Sequence, residues 1–131
     1  MKKSGILNKD ISEVIASMGH MDYLTICDAG LPIPESTRRI DLAVQPGLPG
    51  FLEVTKAIAE DLKVQRIILT EELKGRNPAL DQAVKDIFKD SEVTYVPHEE
   101  FKKISTESRA IIRTGECTPY ANVILVSGVI F

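Results

Sequence analysis

Tryptophan is absent from the 131 residues, and aromatic side chains amount to only 5% of them. The chain therefore has no series of stacking platforms of the kind that single-stranded nucleic acid requires. A basic excess is missing too: 16 Lys and Arg stand against 19 Asp and Glu, for a net charge of -3. That balance excludes the broad positive field that nucleic acid or an anionic membrane surface calls for. Long apolar runs are also lacking near the start, where Lys2 and Lys3 are followed by Asp10 and Glu13. Neither a signal peptide nor a membrane span is expected, and the expected location is cytoplasmic. Cysteine is scarce. Cys27 and Cys117 lie far apart, form no C-x-x-C and have no basic residue beside them, which fits reduced structural thiols better than a redox or nucleophilic centre.

What is present is enough apolar material for one core, since 44% of the residues are hydrophobic. Residues 1–131 are read as a single domain with no repeat and no low-complexity tract. Ile11, Val14, Ile15 and Met18 recur at i, i+3, i+4 and i+7, which predicts a helix over 10–18, with Asp10 and Glu13 as its capping box. Gly19 is expected to end it at positive φ. Tyr23 to Cys27 reads as a strand, Leu31-Pro32-Ile33-Pro34 as a stiff loop, and Arg39 to Val44 as a strand with Ile40, Leu42 and Val44 on one face. After the Gln45–Gly50 loop, Phe51, Val54, Ile58 and Leu62 repeat with helical spacing. That loop lacks the patterns of a phosphate cradle, and its two prolines have no backbone donors.

Further on, Arg66 to Thr70 reads as a short buried strand, and Asn77-Pro78 caps a helix carrying Leu80, Val84, Ile87 and Phe88. Glu92 to Val96 is the next strand, a short helix runs from Pro97 through Ile104, and Ala110 to Arg113 is the fifth strand. Asn122 to Phe131 reads as a long apolar final strand, whose Val129-Ile130-Phe131 end calls for cover from a core or a neighbouring subunit. Alternating strands and helices make the fold α/β: three layers, with helices on both faces of a central, mixed sheet of about six strands.

The stretch that organises this pattern is Met18 to Pro32, which puts His20 at one end of a strand and Asp28 at the other. The carboxyl ends of strands are where open α/β sheets bind ligands. His98 and Lys102, four apart on one helix face, fall at the carboxyl end of another strand. Two histidines, an aspartate and a lysine admit three readings. His20, Asp28 and His98 could hold a metal, although none of them has the close spacing of a helical metal site. They could perform acid-base chemistry without a cofactor, which suits imidazole near neutrality. Or they could belong to a binding module whose polar groups only hold a ligand.

Several segments together resemble the bacterial D-ribose pyranase, or ribose mutarotase, family from end to end. They are Lys2-Lys3-x-Gly5-Ile6-Leu7-Asn8, Gly19-His20, Asp28-Ala29-Gly30-Leu31-Pro32, Pro46-Gly47-Leu48-Pro49, His98-Glu99-Glu100-Phe101 and the run from Arg113-Thr114-Gly115-Glu116 through Thr118-Pro119-Tyr120-Ala121-Asn122. The fucose mutarotases look similar but more distant, and Gly30 and Ala121 point to the ribose branch. The resemblance implies interconversion of the pyranose and furanose forms of D-ribose, and of its anomers, without a cofactor or metal. It implies His20 as the catalytic group, and Asp28, His98, Lys102, Tyr120, Ala121 and Asn122 as sugar-contacting positions. It also implies a homo-oligomer, a decamer of stacked rings with sites at subunit interfaces. The rival function is a non-catalytic ribose-binding partner of a transporter or kinase, or a mutarotase for another sugar such as fucose.

Overall fold

The computed structural model describes residues 1–131. Eleven elements follow one another: α1 (Lys9–Ser17), β1 (Tyr23–Cys27), β2 (Arg39–Asp41), α2 (Phe51–Asp61), β3 (Val64–Thr70), α3 (Glu71–Arg76), α4 (Pro78–Ile87), β4 (Glu92–Val96), α5 (His98–Ser105), β5 (Ala110–Arg113) and β6 (Val123–Ser127). The strands form one six-stranded sheet in the order β2-β5-β1-β6-β3-β4. β6 runs antiparallel to both its neighbours, whereas the β1–β5, β2–β5 and β3–β4 pairs are parallel. The sheet is therefore mixed, as the sequence leads one to expect.

Alternation along the central strands divides the interior in two. Leu24 and Ile26 of β1, Ile67 and Leu69 of β3, and Val123 and Leu125 of β6 pack with α1, α2, α3 and α4 through Ile11, Val14, Phe51, Ile58, Leu73 and Val84. The opposite face sets Cys27, Ile68, Ile111, Ile124 and Val126 against Phe101 and Ile104 of α5, and Leu31 of the proline loop. This second layer is thinner. Central strands buried on both faces need apolar residues at nearly every position, which is why β6 is apolar from Val123 to Val126 and the one polar side chain facing the interior from β1, Thr25, is paired with the Ser108 hydroxyl.

Local departures from the sequence reading have simple causes. α1 starts on Asn8, whose side chain accepts from the Ile11 amide at 3.0 Å, so the cap lies two residues before Asp10. Gly19 does not take up the left-handed conformation; Met21 does, at φ 71°. β2 stops at Asp41, because Val44 has left the sheet and is exposed. The short α3 leaves no period in the sequence, because it buries one residue, Leu73. The last strand ends at Ser127, and beyond it Ile130 and Phe131 are exposed by 91% and 101%. Of the two covers expected for that end, the chain's own core is excluded.

Candidate functional site

Because β1 and β3 are parallel and β6 returns between them, the carboxyl ends of β1, β3 and β4 meet the amino end of β6 along one rim. Asp28 follows β1 and Asn122 precedes β6, 94 residues apart in sequence. Asn122 is fully buried, and its amide is spent on Asp28: Oδ1 accepts from the Asp28 backbone N–H at 2.9 Å, and Nδ2 donates to Asp28 Oδ2 at 3.1 Å. The Gly30 amide donates to the other carboxylate oxygen at 2.9 Å. Arg113 braces the same turn, with Nε donating to the Ala29 carbonyl at 3.1 Å and the guanidinium paired with Asp41. Asp28 is thereby fixed in direction while remaining half-exposed at the rim.

Next to it, the Tyr120 ring meets the His98 ring edge to face, with centroids 5.1 Å apart, and Phe101 stacks along His98 at 6.4 Å. His98 Nδ1 is buried without a hydrogen-bond partner. A polar atom in that condition costs free energy unless a ligand satisfies it. Tyr120 sits at φ 64°, a left-handed conformation that is strained for a residue with a Cβ and that recurs at functional sites. Ala121, fully buried, packs with the core beneath the rim.

α3 supplies two residues that the sequence reading did not pick out. Glu72 Oε2 accepts from the His98 amide at 2.7 Å, and the Arg76 guanidinium lies 5.3 Å from the centre of the Tyr120 ring. Their i, i+4 spacing was a visible signal, but only once α3 itself is recognised. Lys102, one turn along α5 from His98, is paired with Glu99 at 2.7 Å. It lines a shallow recess with Pro32, Ile33 and Pro34, so the proline loop after Asp28 and the helix after His98 meet there.

His20 is elsewhere. It precedes β1, in a recess of about 360 Å³ that it shares with Met18, Asp61, Lys63, Gly128 and the exposed tail at Ile130 and Phe131. The stretch between Asp22 and Asp28 spans roughly 20 Å at about 3.3 Å per strand residue. One chain thus presents His20 at the amino end of β1 and Asp28, Asn122, His98 and Tyr120 around its carboxyl end. His20, Asp28 and His98 are not brought together within the chain, and no cluster of three His, Cys, Asp or Glu side chains is placed to hold a metal. The Cys27 thiol, beneath the rim, is pushed up to about 12 by burial, with the Asp28 charge adding to the effect. It is not a nucleophile near neutral pH.

The RbsD / FucU transport protein family model matches residues 1–130. D-ribose pyranase of Limosilactobacillus reuteri is 52% identical over the full length of both chains, and those of Lactiplantibacillus plantarum and Lactobacillus acidophilus are 51% and 53% identical over the same span. Bacillus subtilis RbsD, solved in complex with D-ribose, superposes with a TM-score of 0.96 at 44% identity over all of both chains. The fucose mutarotase of Streptococcus pneumoniae, solved with L-fucose, shares the fold with a TM-score of 0.81 at 23% identity over 95% of each chain. On the match of fold and sequence over its whole length, the chain belongs to the RbsD/FucU family.

Proposed function

We propose that this protein is a D-ribose pyranase, a single-domain isomerase that interconverts the ring forms of D-ribose by acid-base chemistry. The observation that carries the activity is full-length identity above 50% to curated D-ribose pyranases. In this reading His20 moves the protons and Asp28, His98, Lys102 and Tyr120 hold the sugar, with the buried Ala121 and Asn122 supporting them from beneath, Asn122 by fixing the Asp28 carboxylate. Ring opening removes the proton of the anomeric hydroxyl and protonates the ring oxygen, two atoms within reach of one imidazole or of an imidazole and a water. Asp28 accepts from sugar hydroxyls, the unpartnered His98 Nδ1 gains a partner, and the Tyr120 ring offers its face to the sugar's C–H surface.

The placement of His20 at the opposite end of β1 supports a further part of the reading: the site is shared, with His20 of one subunit facing the Asp28 rim of the next. The exposed Ile130 and Phe131 beside His20 supply apolar surface for such a contact. A closed ring of subunits satisfies this head-to-tail geometry, and stacked rings forming a decamer are the assembly proposed. The cytoplasm is the proposed location.

Saturation transfer between ribose ring forms tests the activity. Wild-type protein should accelerate exchange, and His20→Ala should abolish the acceleration while remaining folded, since His20 is exposed. Ribose binding without faster exchange would instead assign the protein as a passive ribose carrier. Wild-type exchange in His20→Ala would remove His20 from the chemistry.

A further inference from the structure

Within its own chain the His20 ring has one hydrogen-bond partner: Nε2 lies 2.9 Å from Gln65 Oε1. Three independent features serve that contact. First, the β3–β6 register slips between Val64, opposite Ser127, and Arg66, opposite Val126. Gln65 is thus the extra residue of a β-bulge, a device that re-aims a side chain. Second, the residue beside the bulge is Gly128, where an added Cβ would stand 3.1 Å from Gln65 Cβ. Third, the turn carrying His20 is itself clamped. Asp22 Oδ2 accepts from the Gly19 amide at 2.8 Å, Arg109 pairs with the same carboxylate at 3.1 Å, and the Met21 amide donates to the Ser127 carbonyl at 2.9 Å.

Chemistry at the other end of the Gln65 amide argues for one orientation. Gln65 Nε2 lies against Met21 Sδ, and a thioether accepts weakly but donates nothing. The amide NH2 therefore belongs on the sulfur side and the carbonyl oxygen on the imidazole side. An oxygen facing His20 Nε2 requires a proton on that nitrogen. We propose that Gln65 is the positioning residue of His20, holding its neutral ring as the Nε2–H tautomer and leaving Nδ1 as the basic nitrogen that exchanges protons with the sugar.

This rests on the reading of His20 as the proton-transfer group and specifies how it works. Nδ1 takes the anomeric hydroxyl proton as the C1–O double bond forms. The bond from C1 to the ring oxygen breaks with its electron pair going to that oxygen, which takes the proton back from Nδ1. The products are the open-chain aldehyde and the neutral imidazole. Closure by a different hydroxyl reverses the steps and gives the other ring size. While the ring is an imidazolium, its Nε2–H bond to Gln65 is charge-assisted and so strengthened when it is needed.

The test uses the full-length assembled protein with ring-15N histidine; there are two histidines, so a His20→Ala spectrum assigns the signals. Neutral wild-type His20 should carry its proton on Nε2. Gln65→Leu should lower kcat for ribose exchange by tenfold or more with KM nearly unchanged, because Gln65 orients the base without touching sugar. Gln65→Glu should move the acid limb of the rate profile and the 15N titration of His20 up by about one pH unit, since a carboxylate at Nε2 favours the imidazolium. Asp61 and Lys63, the charged side chains lining the same recess, and the Asp22–Arg109 pair are common to all variants. A wild-type ring protonated on Nδ1, or a Gln65→Leu enzyme with unchanged kcat, overturns the proposal. The tautomer is read without turnover, so it needs no Gln65 variant to fold. Persistence of activity in His20→Ala would sink the reading of His20 separately.

Discussion

The amide of Asn122 is worth more than a surface hydrogen bond because it satisfies an acceptor and a donor of Asp28 at once, inside the protein. Asn122→Ala leaves the Asp28 N–H unpaired in a half-buried turn and frees the carboxylate to rotate. The loss should be roughly 2 kcal/mol of stability, the cost of an unsatisfied buried group, together with weakened ribose binding. Urea unfolding and ribose titration check the two effects; a variant as stable as wild type would mean that water replaces the amide freely. The places of His20 after a helix and Asp28 after a strand are visible in the sequence, but locally each is as readily a helix-end or a turn residue, and the family resemblance is what marks them out. Their pairing is not visible there. Nothing local in the sequence tells that Asn122 turns towards Asp28, or that Gln65 turns towards His20, because both contacts are made by the sheet.

Among the elements, α2 shows how a loop distant in sequence completes a helix. Its N-cap is Gly50, which has no side chain to offer, and Glu116 fills the role: Oε1 accepts from the Phe51 amide at 3.0 Å and Oε2 from the Thr118 hydroxyl at 2.9 Å. Burial pushes the Glu116 carboxyl up, but the hydrogen bonds from Phe51, Thr118 and Cys117 outweigh it and hold the group below its ordinary 4.5. A carboxylate whose folded value is depressed contributes stability above its unfolded value and loses it as the pH falls through the folded one. Glu116→Gln should therefore cost about 1 kcal/mol at pH 7, the worth of a charged cap at a helix N-terminus. The gap to wild type should narrow below pH 4.5. Urea midpoints for both proteins at pH 7 and pH 3.5 measure it, and an equal gap at the two pH values would show that charge plays no part. Elements with strong periods, such as α2, α4, β1 and β4, could be placed from sequence to within a residue or two. α3 could not, nor the end of β6, because a six-residue helix and a solvent-exposed apolar tail are decided by tertiary contacts rather than by local pattern.

At the scale of the whole molecule, the division of polar groups between opposite ends of the strands is the feature that a lone subunit leaves unexplained. If His20 moves the protons and the Asp28 rim holds the sugar, as proposed, the two can work together only where the opposite ends of the strands of different chains meet. The contact is then head-to-tail, and each subunit gives its His20 to one neighbour and its Tyr120 to another. This predicts complementation. His20→Ala keeps an intact rim, and Tyr120→Ala removes the ring packed against His98 at 5.1 Å and under Arg76 at 5.3 Å but keeps an intact His20; each should be inactive alone. Unfolded together in equal amounts and reassembled, they place an intact His20 opposite an intact Tyr120 at about one interface in four under random mixing. Exchange between ribose ring forms should rise from near zero toward about a quarter of the wild-type rate. Native mass spectrometry establishes that the subunits have mixed. If mixed assemblies stay as inactive as either parent, His20 and the rim do not act across an interface, and the chain would have to bring the two together by itself.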